Sequence, residues 1–120
     1  MVDSIAIETQ TKRKIVPRRM IQETVCQIVE GFDPEQIILF GSYAYGKPYS
    51  GSDVDLLVVM ATALKETEQA IRICQAIPYR YGLDLLVRTP ENLERRLALG
   101  DRFLQEIVNR GKVLYERPDS

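Results

Sequence analysis

The chain contains no histidine. That excludes Ser-His-Asp and Cys-His catalysis, and it excludes an imidazole-ligated zinc or iron centre within this chain. Any metal must be held mainly by oxygen atoms, which suits Mg²⁺, Mn²⁺ or Ca²⁺. Cysteine is nearly as scarce: Cys26 and Cys74 are the only two, and both fall inside helix-like patterns. Their spacing suits neither a metal pair nor a disulfide framework. Buried free thiols in a reducing, cytoplasmic setting are the expectation. No apolar run approaches the roughly 20 residues that span a bilayer. The polar N-terminus also lacks the hydrophobic stretch of a secretory signal. Charge of one sign is missing too: the formal net charge is −1. Nothing global attracts the chain to nucleic acid or to an anionic membrane, and neither is expected as a partner.

What is present suits one domain of 120 residues, 45% hydrophobic and 28% charged, with enough apolar surface for a core. Residues 1–16 show no periodicity and read as a flexible N-terminal arm, with a single domain over 17–120. Lys12, Arg13, Lys14, Arg18 and Arg19 cluster near that arm. No aromatic residue interleaves with them, so a solvated face is expected rather than a nucleic-acid patch.

The hydrophobic periodicity gives the order α-β-(α)-β-α-β-α-α-β. Ile21, Val25, Ile28 and Val29 make a one-sided helical stripe, opened by Pro17 as first helical residue and stopped by Gly31. Residues 36–40 read as a buried strand. Gly46, Pro48 and Gly51 punctuate a loop with a short helical turn. Asp53 to Met60 is the second strand. Thr62 is expected to cap a helix with an apolar face of Leu64, Ala70, Ile71, Cys74 and Ile77, ended by Pro78. The segment 78–82 reads as a surface turn and Leu83 to Arg88 as the third strand. Thr89-Pro90 pairs a cap with a first-turn proline. Leu93 and Leu97 follow. Gly100-Asp101 then restarts a helix carrying Phe103, Leu104, Ile107 and Val108. Gly111 stops it, and 112–115 forms a last strand. The fold class is α/β (α+β), a mixed β-sheet of about four strands flanked by helices.

Two aspartates stand at the head of the apolar second strand. Side chains alternate along a strand, so Asp53 and Asp55 share a face. Two close carboxylates must share a proton or hold a cation between them. A lone aspartate at a strand start is usually a turn residue, but Asp-Val-Asp before Leu-Leu-Val-Val is not explained that way. Asp84 repeats the anomaly in the third strand. A helical crossover makes strands two and three parallel and brings Asp84 beside the pair. The short link from Gly41-Ser42 to Asp53 requires strands one and two to be antiparallel. Glycine, serine and three acids then converge on one edge, as a metal-assisted phosphoryl-transfer site requires. Gly41 lets the backbone approach a ligand, and Ser42 adds a hydroxyl.

Gly41-Ser42, ten intervening residues, then Asp53-Val54-Asp55 resembles the motif of the minimal nucleotidyltransferases in the DNA polymerase beta superfamily. Leu39-Phe40, Ala44, Gly46, Ser52 and Leu56 extend the match, and Asp84 falls at the third carboxylate. The resemblance covers roughly residues 17–116. It implies a nucleotidyltransferase-like mixed sheet, with Asp53, Asp55 and Asp84 as catalytic and metal-binding residues for Mg²⁺ or Mn²⁺. It implies ATP as donor, contacted by Gly41, Ser42, Ser52 and the residues around position 45. Many members carry Arg where this chain has Tyr45. That leaves Lys47 as a substitute cation or Tyr45 as a surface for the base. An acceptor site is expected from a partner or a second copy of the chain. Such cores are typically paired with a HEPN-domain toxin, which implies transfer of AMP to a toxin tyrosine by the antitoxin of a type VII-like pair. The alternatives are neutralisation by contact alone, or nucleotidyl transfer to a small molecule.

Overall fold

The computed structural model describes residues 15–118. Most of the expected arm, with Lys12, Arg13 and Lys14, lies outside the described residues. Helix α1 spans Arg18–Phe32, β1 Gln36–Phe40, the single turn α2 Ser42–Tyr45, and β2 Val54–Val59. Helix α3 spans Glu66–Ala76, β3 Leu83–Arg88, α4 Pro90–Ala98, α5 Arg102–Arg110, and β4 Lys112–Glu116. The four strands form one mixed sheet in the order β3-β2-β1-β4. β1 runs antiparallel to β2 and β4, whereas β2 and β3 are parallel. This is the arrangement that the short first link and the helical crossover demand.

The central strands are buried on both faces. One face packs Ile37, Leu39, Val54, Leu56, Val58, Leu85 and Val87 against Ile21, Val25 and Ile28 of α1 and Ile73 of α3. The other packs Ile38, Phe40, Leu57 and Val59 against Leu104 and Ile107 of α5, with Leu93 and Leu97 of α4 at its margin. Asp55 lies opposite Phe40 in the antiparallel register, so its side chain belongs to the α4/α5 face.

Several boundaries differ from expectation. Pro17 is the N-cap of α1, not its first residue, and Gly31 does not stop the helix. The helix continues to Phe32, and Asp33 takes the left-handed position at φ 52°, which aspartate tolerates before Pro34 can end the run. Thr62 does not cap α3. Its Oγ1 accepts from Leu64 N and donates to Gln69 Oε1, closing the preceding turn, and the helix begins four residues later. Cys26 is exposed rather than buried. The inward face of α3 is centred on Ile73, fully buried, whereas Ile71 is 52% exposed. Ile73→Ala should therefore cost about 2–5 kcal/mol in denaturant unfolding, while Ile71→Ala should stay within about 0.5 kcal/mol. Similar losses for both would contradict this packing.

Where sequence and structure agree, the local cause is visible. Thr89 Oγ1 accepts from Asn92 N at the start of α4, and Asp101 Oδ1 accepts from Leu104 N at the start of α5. The Glu66 carboxylate accepts from Thr89 N and Asn92 Nδ2, tying the start of α3 to the end of β3.

Candidate active site

The carboxylates meet at one edge because of strand register. Asp55 is the second residue of β2 and lies directly beside Asp84 in the parallel pairing. Adjacent strands are about 4.8 Å apart, so the two acids are immediate neighbours on one face. Asp53 stands one residue before β2 rather than inside it, because the ladder begins where Val54 N donates to Gly82 O. Asp53 and Asp84 are exposed, and Asp55 is half-buried.

Burial, reinforced by Asp84 and then Asp53, pushes the Asp55 carboxyl up to about 6. The cost of charge at this edge falls on the most enclosed acid. Among the described residues, no three acids are close enough to cage a metal by themselves. The donor set still fits Mg²⁺ or Mn²⁺. All donors are carboxylate oxygens, and Mg²⁺ is usually held by one or two carboxylates with water and substrate phosphate completing its shell.

Two glycines shape the edge. Gly41 ends β1 and opens α2 at φ +74°, where its Cα faces Asp55; a Cβ there would collide with Asp55 Oδ2. Gly82 precedes β3, and a Cβ there would collide with Asp53 Oδ1. Each acid is thus held against bare backbone. Sequence reading singled out Gly41 but passed over Gly82, for which Gly82-Leu83-Asp84 at a strand start was the available signal.

The remaining candidates are distributed around this edge. Ser42 is the first residue of α2 and half-buried. Ser52 closes the loop: its N donates to Tyr49 O and its Oγ accepts from Tyr49 N at 2.9 Å. Lys47 is exposed on that loop. Tyr45 packs against the α4/α5-side core, and the guanidinium of Arg110 lies 4.4 Å from its ring centroid. One face of the ring is therefore covered by a cation. Arg110 is a feature that the sequence did not announce, since 65 positions separate it from Tyr45.

The family model described as Polymerase beta, Nucleotidyltransferase matches residues 23–120. Two Methanocaldococcus jannaschii proteins, each named as a protein adenylyltransferase, are similar in sequence. One is 32% identical over 96 residues, which is 77% of this chain and 65% of the relative. The other is 30% identical over 83 residues, 68% of this chain and 78% of the relative. The chain thus spans just under two thirds of the first relative. Among solved structures, a nucleotidyltransferase from Sulfolobus solfataricus superposes with a TM-score of 0.61 at 21% identity, covering 96% of this chain and 90% of the other. A toxin-antitoxin complex with AMP-PNP gives 0.54 at 24% identity, covering 81% and 74%. At these identities the structural likeness is one of fold.

Proposed function

Because the chain belongs to the polymerase beta nucleotidyltransferase family, we propose that it transfers AMP from ATP to a hydroxyl of a partner protein, a tyrosine of a HEPN-domain toxin that it silences. The observation that carries this reading is the Asp55–Asp84 pairing beside Gly41-Ser42, with Asp53 leading into it. The names of the two M. jannaschii relatives support a protein acceptor. The toxin-antitoxin neighbour supports a toxin in that role.

The chemistry assigned to each residue follows from its place. Asp53 and Asp55 would hold Mg²⁺ or Mn²⁺, which supplies charge neutralisation for the triphosphate when bound. Asp84, exposed at the outer strand, accepts the proton of the acceptor hydroxyl. The acceptor oxygen attacks the α-phosphorus, the bond to the bridging oxygen breaks, and pyrophosphate leaves. Gly41 and Ser42 receive the β- and γ-phosphates, where the missing Cβ allows close approach. Such catalysis is mostly positioning and electrostatics. No helix among the described residues is long and apolar enough to cross a membrane, and a cytoplasmic encounter with the toxin accords with this reading.

The test is transfer of label from [α-³²P]ATP, with Mg²⁺, to the protein encoded by the neighbouring gene, the candidate toxin. Wild type should label it. Asp53→Asn and Asp55→Asn should each lose at least about 10²-fold. Labelling that persists in both variants would contradict the mechanism. Neutralisation of the toxin by the doubly substituted chain, without label, would instead establish inhibition by contact.

A further inference from the structure

We infer that Arg110 is a nucleotide-phosphate ligand, a guanidinium delivered by the end of α5 and seated on Tyr45 beside the Gly41-Ser42 turn. The inference rests on the proposed use of that turn by a nucleoside triphosphate.

Topology brings the two parts together. β4 begins at Lys112, which pairs with Leu39. Arg110 therefore lies at the end of the sheet where β1 gives way to Gly41-Ser42. Leu104 and Ile107 of α5 pack on the same face as Phe40, and Phe40 lies opposite Asp55. The helix thus delivers its last residue to the carboxylate face. Tyr45 sits three residues after Ser42 in one helical turn, and its N donates to Gly41 O at 3.0 Å. Residues three apart in a helix are surface neighbours, about 5–6 Å between Cβ atoms. The cation over the Tyr45 ring is thus seated on a residue one helical turn from Ser42.

The side chain is both placed and available. Its guanidinium is held over the ring, and Nη1 donates to Glu106 Oε2 at 3.0 Å. Even so, 55% of the side chain is exposed. An exposed i,i+4 pair contributes little, so a phosphate can displace Glu106 and take two guanidinium donors at once. The site also needs positive charge. It gathers three carboxylates, Tyr45 brings none, and Lys47 stands on an exposed loop. Stacking on an aromatic ring restricts the guanidinium before the ligand arrives.

Arg72 supplies a matched control. It pairs with Glu68 in the same i,i+4 manner on α3, at 3.3 Å, with the side chain 59% exposed. The experiment is equilibrium binding of AMP-PNP with Mg²⁺, and of adenosine, to wild type, Arg110→Ala, Arg110→Lys, Glu106→Gln and Arg72→Ala, with unfolding midpoints recorded. Arg110→Ala should weaken AMP-PNP about tenfold and leave adenosine unchanged, since a charged phosphate contact is lost. Arg110→Lys should recover part of that loss. Glu106→Gln should tighten AMP-PNP by roughly two- to fivefold by freeing the guanidinium. Arg72→Ala should match wild type. Equal AMP-PNP affinity in wild type and Arg110→Ala would overturn the assignment, as would a parallel loss for adenosine, which would mark Arg110 as packing for Tyr45. Failure of wild type to bind any nucleoside triphosphate would overturn the reading of the whole site, a result separate from either.

Discussion

Asp55→Asn should abolish nucleotidyl transfer and, at neutral pH, make the chain more stable. Burial and two neighbouring acids raise this carboxyl from 3.8 to about 6. Its folded value exceeds its unfolded one, so the folded state holds the proton more tightly. The stabilisation this brings is complete below the unfolded value and is lost as pH rises through about 6. At pH 7 Asp55 is ionised at a cost. Solvent screening at this half-exposed edge reduces the cost to about 1–2 kcal/mol. The amide carries no charge, so the variant should unfold roughly 3–8 °C higher at pH 7. It should also show a flatter dependence between pH 4 and 7. Thermal unfolding across that range checks both points. Mg²⁺ at pH 7 should raise the midpoint of wild type and leave Asp55→Asn nearly unmoved. A wild-type midpoint that climbs from pH 5 to 7 relative to Asp55→Asn would contradict the assigned cost. The residue that costs stability at neutral pH is thus also one on which the proposed reaction depends.

Gly82→Ala should leave the fold intact and remove activity, whereas Gly41→Ala should damage both. At Gly82 the new methyl meets the end of the Asp53 side chain. That carboxylate is exposed and can swing away, so the midpoint should shift by less than about 1 kcal/mol. The swing carries Asp53 off the shared edge, and transfer should fall by at least about 10²-fold, the cost of misplacing a catalytic group by about an ångström. At Gly41 the methyl meets Asp55 Oδ2 with φ at +74°. The backbone conformation itself disfavours a side chain there, and a loss of roughly 1–3 kcal/mol should accompany the loss of transfer. Circular dichroism melts beside the labelling assay separate the cases. If Gly82→Ala kept full activity, the close packing of Gly82 on Asp53 would have no catalytic meaning.

The fold was legible wherever local rules and burial agreed. The apolar runs at 36–40 and 83–88 became β1 and β3 with the expected ends, and Thr89-Pro90 and Asp101 opened helices as their chemistry dictates. Reading failed where the competing signals were only a residue or two apart. Ile71 and Ile73 both sit in an apolar pattern on α3, and only the angle at which the helix meets the sheet puts Ile73 inward. Thr62 carries the chemistry of a cap but spends it on a turn.

The acids of the site could be proposed from sequence because carboxylates heading apolar strands demand a partner, whatever the fold. By itself the sequence determined the element order, the antiparallel first link and the parallel crossover that sets Asp84 beside Asp55, since all follow from spacing, side-chain alternation and connection length. Only the tertiary structure decided that Gly82 presses on Asp53, that Asp55 bears the burial cost, and that Arg110 lies over Tyr45. Those are contacts between distant segments. Their distances depend on helix docking and sheet register, which no local pattern encodes.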